Sequence, residues 1–445
     1  MKKTFLFIAI AILSMGTVNA QETLADVENT GEMAEYRRSS LYSVLVKHSG
    51  FPYSDEIESA FMVMPIPDKF NDHNLDIRSF ESTAVKMKRG GKAKTENNLN
   101  DANNFLVDNQ IAKALVAKWF GRNPSNGGFD MSLIQERGYY DASQLDIANA
   151  QETSRGLSAL GDAGEELIGK TFVIINDITF VDKGEKSAKV AGVLAFAGRL
   201  ASELTGDSSY QQLGDLAAVT TNEIDGLNVN VTSYLYKLVW NDEIAGAFYN
   251  DYWIDIEGDD SAKKEAFEQS DIFSVEYIGQ TTTSAGNLSS KSLAKKSKEE
   301  QMLKVCTRAV DKSIVLLQRA YDEFKVNVPI YKISEDGKTV DVQIGMKEGI
   351  NEKSQFEVLL PEEGENGIIK YSRIGMIQPE KGKIWDNRFG ALEEAQEAQA
   401  AGEDNSKNEE AASLESASLV ATTFKILSGA NRIVPGCLVR EVTIK

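Results

Sequence analysis

Histidine is nearly absent from this chain. There are two among 445 residues, His48 and His73. Neither falls in a stretch with clear core periodicity, which argues against histidine triads and histidine-rich metal sites. Cysteine is as scarce, with only Cys306 and Cys437. No Cys-x-x-Cys, His-Glu-x-x-His, Gly-x-Ser-x-Gly or Gly-x4-Gly-Lys-Ser/Thr occurs, so the usual metal, nucleophile-elbow and phosphate-loop chemistries have no signature here. Three glycines between residues 156 and 164 have the wrong spacing for a dinucleotide loop and follow no strand. The sequence therefore gives no ground for expecting a cofactor or a metal. Long apolar runs are missing as well. Nothing after residue 20 reaches the roughly 20 residues that a membrane-spanning helix needs. Basic charge is in deficit, with 48 Lys and Arg against 67 Asp and Glu, a net of −19. Such an excess repels nucleic acid and anionic lipid. None of these absences removes a carboxylate-pair hydrolase, because 67 acids supply many candidates and single out none.

What is present begins with an export signal over residues 1–20. Lys2 and Lys3 form its charged region, residues 5–13 its apolar core, and Val18-Asn-Ala20 the small residues before a cut at Gln21. No cysteine follows the cut, so a lipoprotein anchor is not expected. Without Lys2 and Lys3 the balance is 46 basic against 67 acidic residues, a net of −21. The expected location is the periplasm or the outer-envelope surface. In that oxidising setting Cys306 falls on an apolar helical stripe and Cys437 in an apolar strand. Each reads as buried rather than bridged, with a Cys306–Cys437 disulfide as the alternative.

Along the chain, hydrophobic spacing predicts a short helix near residues 33–47 and a strand over 60–66 that Pro65 brings to its end. Residues 86–94 hold five basic residues, and with two glycines and no aromatic among them they read as a solvated loop. Ile111, Leu115 and Trp119 step by four and predict an amphipathic helix ending near Gly121. A half-buried strand at 129–133, a polar helix around 144–168 and a strongly apolar strand at 171–181 follow. An insertion at 182–225 contains a helix with a small-residue face: Ala188, Ala191, Gly192, Ala195 and Gly198. A hairpin is predicted over 227–255, turning at Asn241-Asp242, with Tyr234, Tyr236 and Trp240 along one side. The small-residue helix either packs on its own sheet or meets a partner. The aromatic row either covers core or presents a surface. Asp251, Asp255, Glu257, Asp259 and Asp260 miss the spacing of a helix–loop–helix calcium site and read as a charged turn. Leu303, Cys306, Val310, Ile314, Leu317 and Tyr321 mark a long amphipathic helix.

Beyond Val326 the period switches to two, and six short strands with turns at Asp336-Gly337, 345–349 and 363–367 predict a small all-β domain. Residues 391–418 interrupt it with eight acids and one lysine. That insertion reads as an exposed helix or disorder without an apolar face, and its removal is expected to change stability little. The expected organisation is a leader (1–20), an α/β (α+β) domain with a mixed sheet (21–325), and a C-terminal sandwich or barrel (326–445).

The order strand (60–66), helix (110–120), strand ending in arginine (129–137), helix, then Gly169-Lys-Thr-Phe-Val-Ile-Ile-Asn-Asp-Ile-Thr-Phe180, then Asn228-Val-Asn-Val-Thr-Ser-Tyr-Leu-Tyr236 and Glu243-Ile-Ala-Gly246 resembles the periplasmic domain of the curli-secretion (CsgG-like) family. Residues 157–178 echo that family's central segment with an insertion. The resemblance spans about residues 60–321, and the β part is similar to modules that accompany such domains in flagellar-assembly and envelope proteins. It implies the α/β fold and a role in envelope assembly. It implies no pore, because polar loops and a helix occupy the positions of the family's membrane hairpins. No functional residue carries over.

Two functions remain. One is a non-catalytic envelope protein that binds or scaffolds another envelope component or itself, through Ala188, Ala191, Ala195 and Gly198 or through Tyr234, Tyr236 and Trp240. The other is a secreted carboxylate-based hydrolase, for example of glycosides.

Overall fold

Thr171–Phe180 is buried at eight of its ten positions because it is covered on both faces, the expected pattern for a strand in the middle of a three-layer unit. The computed structural model describes residues 39–83, 95–140, 164–180, 228–286, 297–325, 327–363, 369–401 and 407–442. The predicted leader, the basic run 86–94, the insertion 182–225 and most of the predicted helix 144–168 lie outside these residues.

The elements of the first part are β1 (Ser39–Lys47), α1 (Ser54–Met62), β2 (Phe70–Asp72), β3 (Ser79–Glu81), α2 (Thr95–Asp108), α3 (Ile111–Trp119), α4 (Ser132–Tyr140), β4 (Thr171–Phe180), β5 (Asn228–Leu238), α5 (Asp242–Ala247), α6 (Ser261–Gln269), β6 (Val275–Gly286) and α7 (Lys298–Ala320). The sheet order is β2-β1-β4-β5-β6, with β3 also paired to β1. β1 is parallel to β2, β3 and β4, whereas β4–β5 and β5–β6 are antiparallel, so the sheet is mixed as expected. One face packs Tyr42, Val44, Val46, Val173, Ile175, Tyr234 and Tyr236 under α2, α3 and α4. The other packs Leu41, Leu45, Phe172, Ile174 and Leu235 under α1 and α7.

Several predicted elements change type. Residues 39–47 form the central strand β1, not a helix, and their contiguous burial on both faces hides any period of two. Residues 54–62 form α1, not a strand: Ile57, Ala60 and Phe61 are three and four apart and all buried. Phe129 makes only a single bridge to Asp255, and α4 follows at once. The hairpin turn at Asn241 is a helix N-cap, because the Asn241 side chain accepts from Ile244 N at 3.0 Å and starts α5. The strand that returns along β5 is therefore β6, about thirty residues later than predicted. Asp260 likewise caps α6 and Asp255 accepts from Trp253 Nε1 at 2.9 Å, which gives that acidic turn a local structural role.

The long helix α7 stands as predicted. Ser297 and Glu300 close a capping box at its start, and Met302, Val305, Cys306, Ala309, Val310, Ile314 and Leu317 form its buried stripe. After it come β7 (Val328–Ile333), β8 (Thr339–Val342), β9 (Phe356–Glu363), β10 (Ile369–Pro379), α8 (Ala391–Ala401), α9 (Lys407–Ala417), β11 (Thr422–Ser428) and β12 (Leu438–Glu441). The six strands close into an antiparallel barrel in the order β10-β11-β8-β7-β12-β9 around its own core. Cys306 and Cys437 are both buried and unbridged, one under the sheet and the other inside the barrel.

Within the insertion 391–418, α8 and α9 are helices that pack. Ala391, Ala395 and Ala417 are buried, and Glu394 bridges Lys304 at 2.6 Å and Arg308 at 2.8 Å on α7. The described residues form one compact unit, and reciprocal ion pairs fasten the barrel to the sheet domain. Lys69 meets Glu348 at 2.8 Å, Asp68 meets Lys347 at 3.7 Å, and Arg319 on α7 meets Glu441 at 2.9 Å. Among the described residues no helix is long and apolar enough to cross a membrane.

Candidate functional site

Of the residues expected to form a contact surface, Ala188, Ala191, Ala195 and Gly198 lie outside the described residues. Tyr234 and Tyr236 do not present a surface. They are 0% and 2% exposed, on the face of β5 covered by α2 and α3. Trp240 is half-buried and packs on Phe120 and Phe248, in an aromatic cluster that also takes in Phe129, Trp253 and Phe267. The aromatic row is core. Its alternation is the same for a face turned to protein as for one turned to solvent, and only the helices packed on it decide between them.

A polar group that periodicity did not single out sits at the carboxyl ends of β1 and β4. Parallel pairing brings these ends together, with Val46 opposite Asp177. His48 follows β1 directly, is 6% exposed, and stacks on Phe51 at 4.9 Å. Its Nε2 lies 2.5 Å from Asp177 Oδ1, so Nε2–H donates to the carboxylate. Among the described residues the buried Nδ1 atom has no partner. On the neighbouring strand, Ile175 pairs with Tyr234, whose hydroxyl is also buried and has no partner among the described residues. Burial first, and Asp177 second, push that phenol well above its ordinary pKa, so it stays protonated.

Around this centre Asp101 of α2 accepts from Thr83 N at 2.8 Å and Thr83 Oγ1 at 2.5 Å. Lys47 pairs with Glu58 at 2.6 Å and Asp55 at 3.1 Å. An imidazole oriented by a carboxylate is the geometry of a general base. Among the described residues, however, no hydroxyl or thiol stands against Nδ1 to be activated. What the arrangement offers is a fixed, buried hydrogen-bonding edge. The chain leaves the described residues after Phe180 and after Gly286 and returns at Asn228, and the pairing of Phe180 with Val229 and of Asn228 with Gly286 puts all three points at this same end.

His73 belongs to a second cluster, at the amino ends of the same strands. Arg137 of α4 lies 4.4 Å over the Trp119 ring and donates to Ser40 Oγ at 2.7 Å, His73 Nδ1 at 3.2 Å and Asp72 O at 3.0 Å. His73 Nε2–H donates to Leu115 O at 3.1 Å, and Trp119 Nε1–H to Thr171 Oγ1 at 2.8 Å. Burial, then the Arg137 charge, hold His73 well below its ordinary pKa and therefore neutral. This cluster locks α3 and α4 to the sheet. The sequence signal for both histidines was adjacency to short apolar runs, and it became readable only once residues 39–47 were known to be a strand.

A row of small polar side chains crosses the opposite face under α7. Asn176 donates to Ser43 Oγ at 3.1 Å, Ser233 Oγ donates to Asn176 Oδ1 at 2.8 Å, and Ser313 Oγ donates to Ser233 Oγ at 2.7 Å. Such a satisfied network fixes register rather than performing chemistry.

Among the described residues no three His, Cys, Asp or Glu side chains gather as metal ligands. No protein-family model matches this chain, and no curated protein is detectably similar to it.

Proposed function

We propose that this chain is an exported, non-catalytic cell-envelope protein that acts as a scaffold or binding component, with its contact surface at the carboxyl end of β1 and β4. The observation that supports the reading is convergence. The segment carrying Ala188, Ala191, Ala195 and Gly198 departs from Phe180 and returns at Asn228, at the end of the sheet where His48, Asp177 and Tyr234 lie. The barrel, fastened through α7, stiffens the body that would carry such a surface. The resemblance to the curli-secretion family agrees with an envelope role. Its β4–β5 and α7 portions keep their element types, while its first strand and its Phe129–Arg137 strand are helices.

The test uses the full chain in its own cells. Replacing Ala191, Ala195 and Gly198 with glutamate removes the protein from a large envelope-fraction assembly while its melting temperature stays at the wild-type value. A triple variant that folds and remains in the assembly places the contact elsewhere. Hydrolysis of envelope glycans by the pure protein, abolished by a single Asp or Glu replacement, overturns the reading in favour of an enzyme.

A further inference from the structure

Strand β6 is the open edge of the sheet: it pairs with β5 and, among the described residues, with no other strand. Twelve residues make a long edge, and such edges pair with other chains unless they are blunted. Here the chain blunts its own. Tyr321, the residue after α7, accepts from Gln280 N–H at 3.0 Å and donates to Gln280 C=O at 3.2 Å with the same hydroxyl. Both outward backbone groups of Gln280 are thereby occupied. Lys312 Nζ donates to Ser284 C=O at 3.3 Å, two positions of the same parity further on. Gly279 makes the hook sterically feasible, since a Cβ there would collide with the Tyr321 ring. A bulge opposite Leu235 and Tyr236 adds local twist beside it.

The geometry points to the β6 edge as a surface on which a second copy of this chain pairs, with Tyr321 as the contact that holds it closed. The occupant follows from the strand itself. Residues 278–286 carry no charge of their own, so the two strands bring no like-charge pair to each other although the chain as a whole has a net charge of −19. The groups at residues 280, 282, 284 and 286 face outward, a parity fixed by the Tyr321 and Lys312 bonds. A twofold axis through Thr283 sets residue 282 opposite 284 of the second copy, and 280 opposite 286, in one antiparallel ladder. In that register the second chain's backbone at residue 286 takes the place of the Tyr321 hydroxyl. Hook and partner exclude each other.

Tyr321→Phe removes the two hydrogen bonds and keeps the ring on Gly279. Sedimentation equilibrium of the full chain then shows self-association at a concentration about tenfold lower than for the wild type, equivalent to about 1.4 kcal/mol, because the hook of each copy no longer competes. Lys312→Met, which frees the Ser284 carbonyl without touching Tyr321, moves association in the same direction. Adding Thr282→Pro to Tyr321→Phe removes an outward N–H and reverses the effect while sparing the β5 pairing. Association of Tyr321→Phe or Lys312→Met at the wild-type concentration overturns the inference. So does association that persists with Thr282→Pro, because it would run through another face.

Discussion

Asp311 sits on α7 against the ion pairs that join barrel and sheet domain, 8% exposed, facing Asp68 and Lys69 from the α1–β2 side and Lys347 and Glu348 from the barrel. Burial is the main cause that raises its pKa to about 6 from 3.8, and Lys347 opposes the rise. The folded chain therefore binds a proton more tightly than the unfolded chain. Stability linked to Asp311 grows as pH falls from 6 towards 3.8 and is absent at neutral pH. Asp311→Asn is expected to raise stability at pH 7 by about 1–3 kcal/mol and to flatten that part of the pH profile, as read by chemical denaturation across pH. Tyr234 makes a second test at this scale. Its hydroxyl has no partner among the described residues, so Tyr234→Phe should leave stability unchanged or slightly higher. Tyr234→Ala should cost about 3–5 kcal/mol through the cavity it opens. Thermal unfolding of the pair separates a core role from a surface role, because a surface tyrosine tolerates both changes.

The helix pair α8–α9 shows how an element's composition can mislead. Its eight acids suggested an exposed segment, yet Glu394 alone bridges two basic residues of α7, and one of these, Lys304, is 5% exposed. Replacing residues 391–418 with a Gly/Ser link takes the Glu394 carboxylate from Lys304 and Arg308 and uncovers the α7 face beneath it. The expected cost is about 2–4 kcal/mol, in contrast to the small change anticipated from composition. Denaturant titration of the loop-replaced chain checks it, and Glu394→Gln should reproduce much of the loss. At the same scale, Asn241 and Asp260 were legible as polar turn residues. Their side chains cap helices, and that function depends on which backbone N–H groups stand above them.

Taken as a whole, the molecule has a sheet domain with two cores and a barrel with a third. Their junction contains the Lys69–Glu348 pair at 2.8 Å, with Glu348 also accepting from Gly345 N at 2.6 Å and Asn387 Nδ2 at 2.8 Å. Burial works against the Glu348 charge, but Lys69 and these donors outweigh it and hold the carboxyl below its usual range. Breaking one side of a buried pair typically costs about 3–5 kcal/mol. The intact chain should accordingly melt in one transition. Glu348→Ala should separate it into two in a calorimetric scan, the barrel and the sheet domain each unfolding alone. A single transition retained in that variant would mean that α7 packing, rather than the ion pairs, couples the parts.

The sequence by itself determined the features that depend on local chemistry repeated along a segment. These are the α7 stripe, the apolar β4, the switch to period two after Val326, and the burial of both cysteines. Each is written in consecutive residues, so a one-dimensional reading recovers it. The tertiary structure decided everything that depends on which element lies against which. Only the partners of β1 show that residues 39–47 are a strand buried on both faces, and only α2 and α3 turn Tyr234 and Tyr236 into core. The His48–Asp177 contact joins residues 129 positions apart, and the Tyr321–Gln280 hook joins residues 41 apart. No spacing rule links such pairs, because the distance between them is set by parallel strand pairing and by the angle at which α7 crosses the sheet.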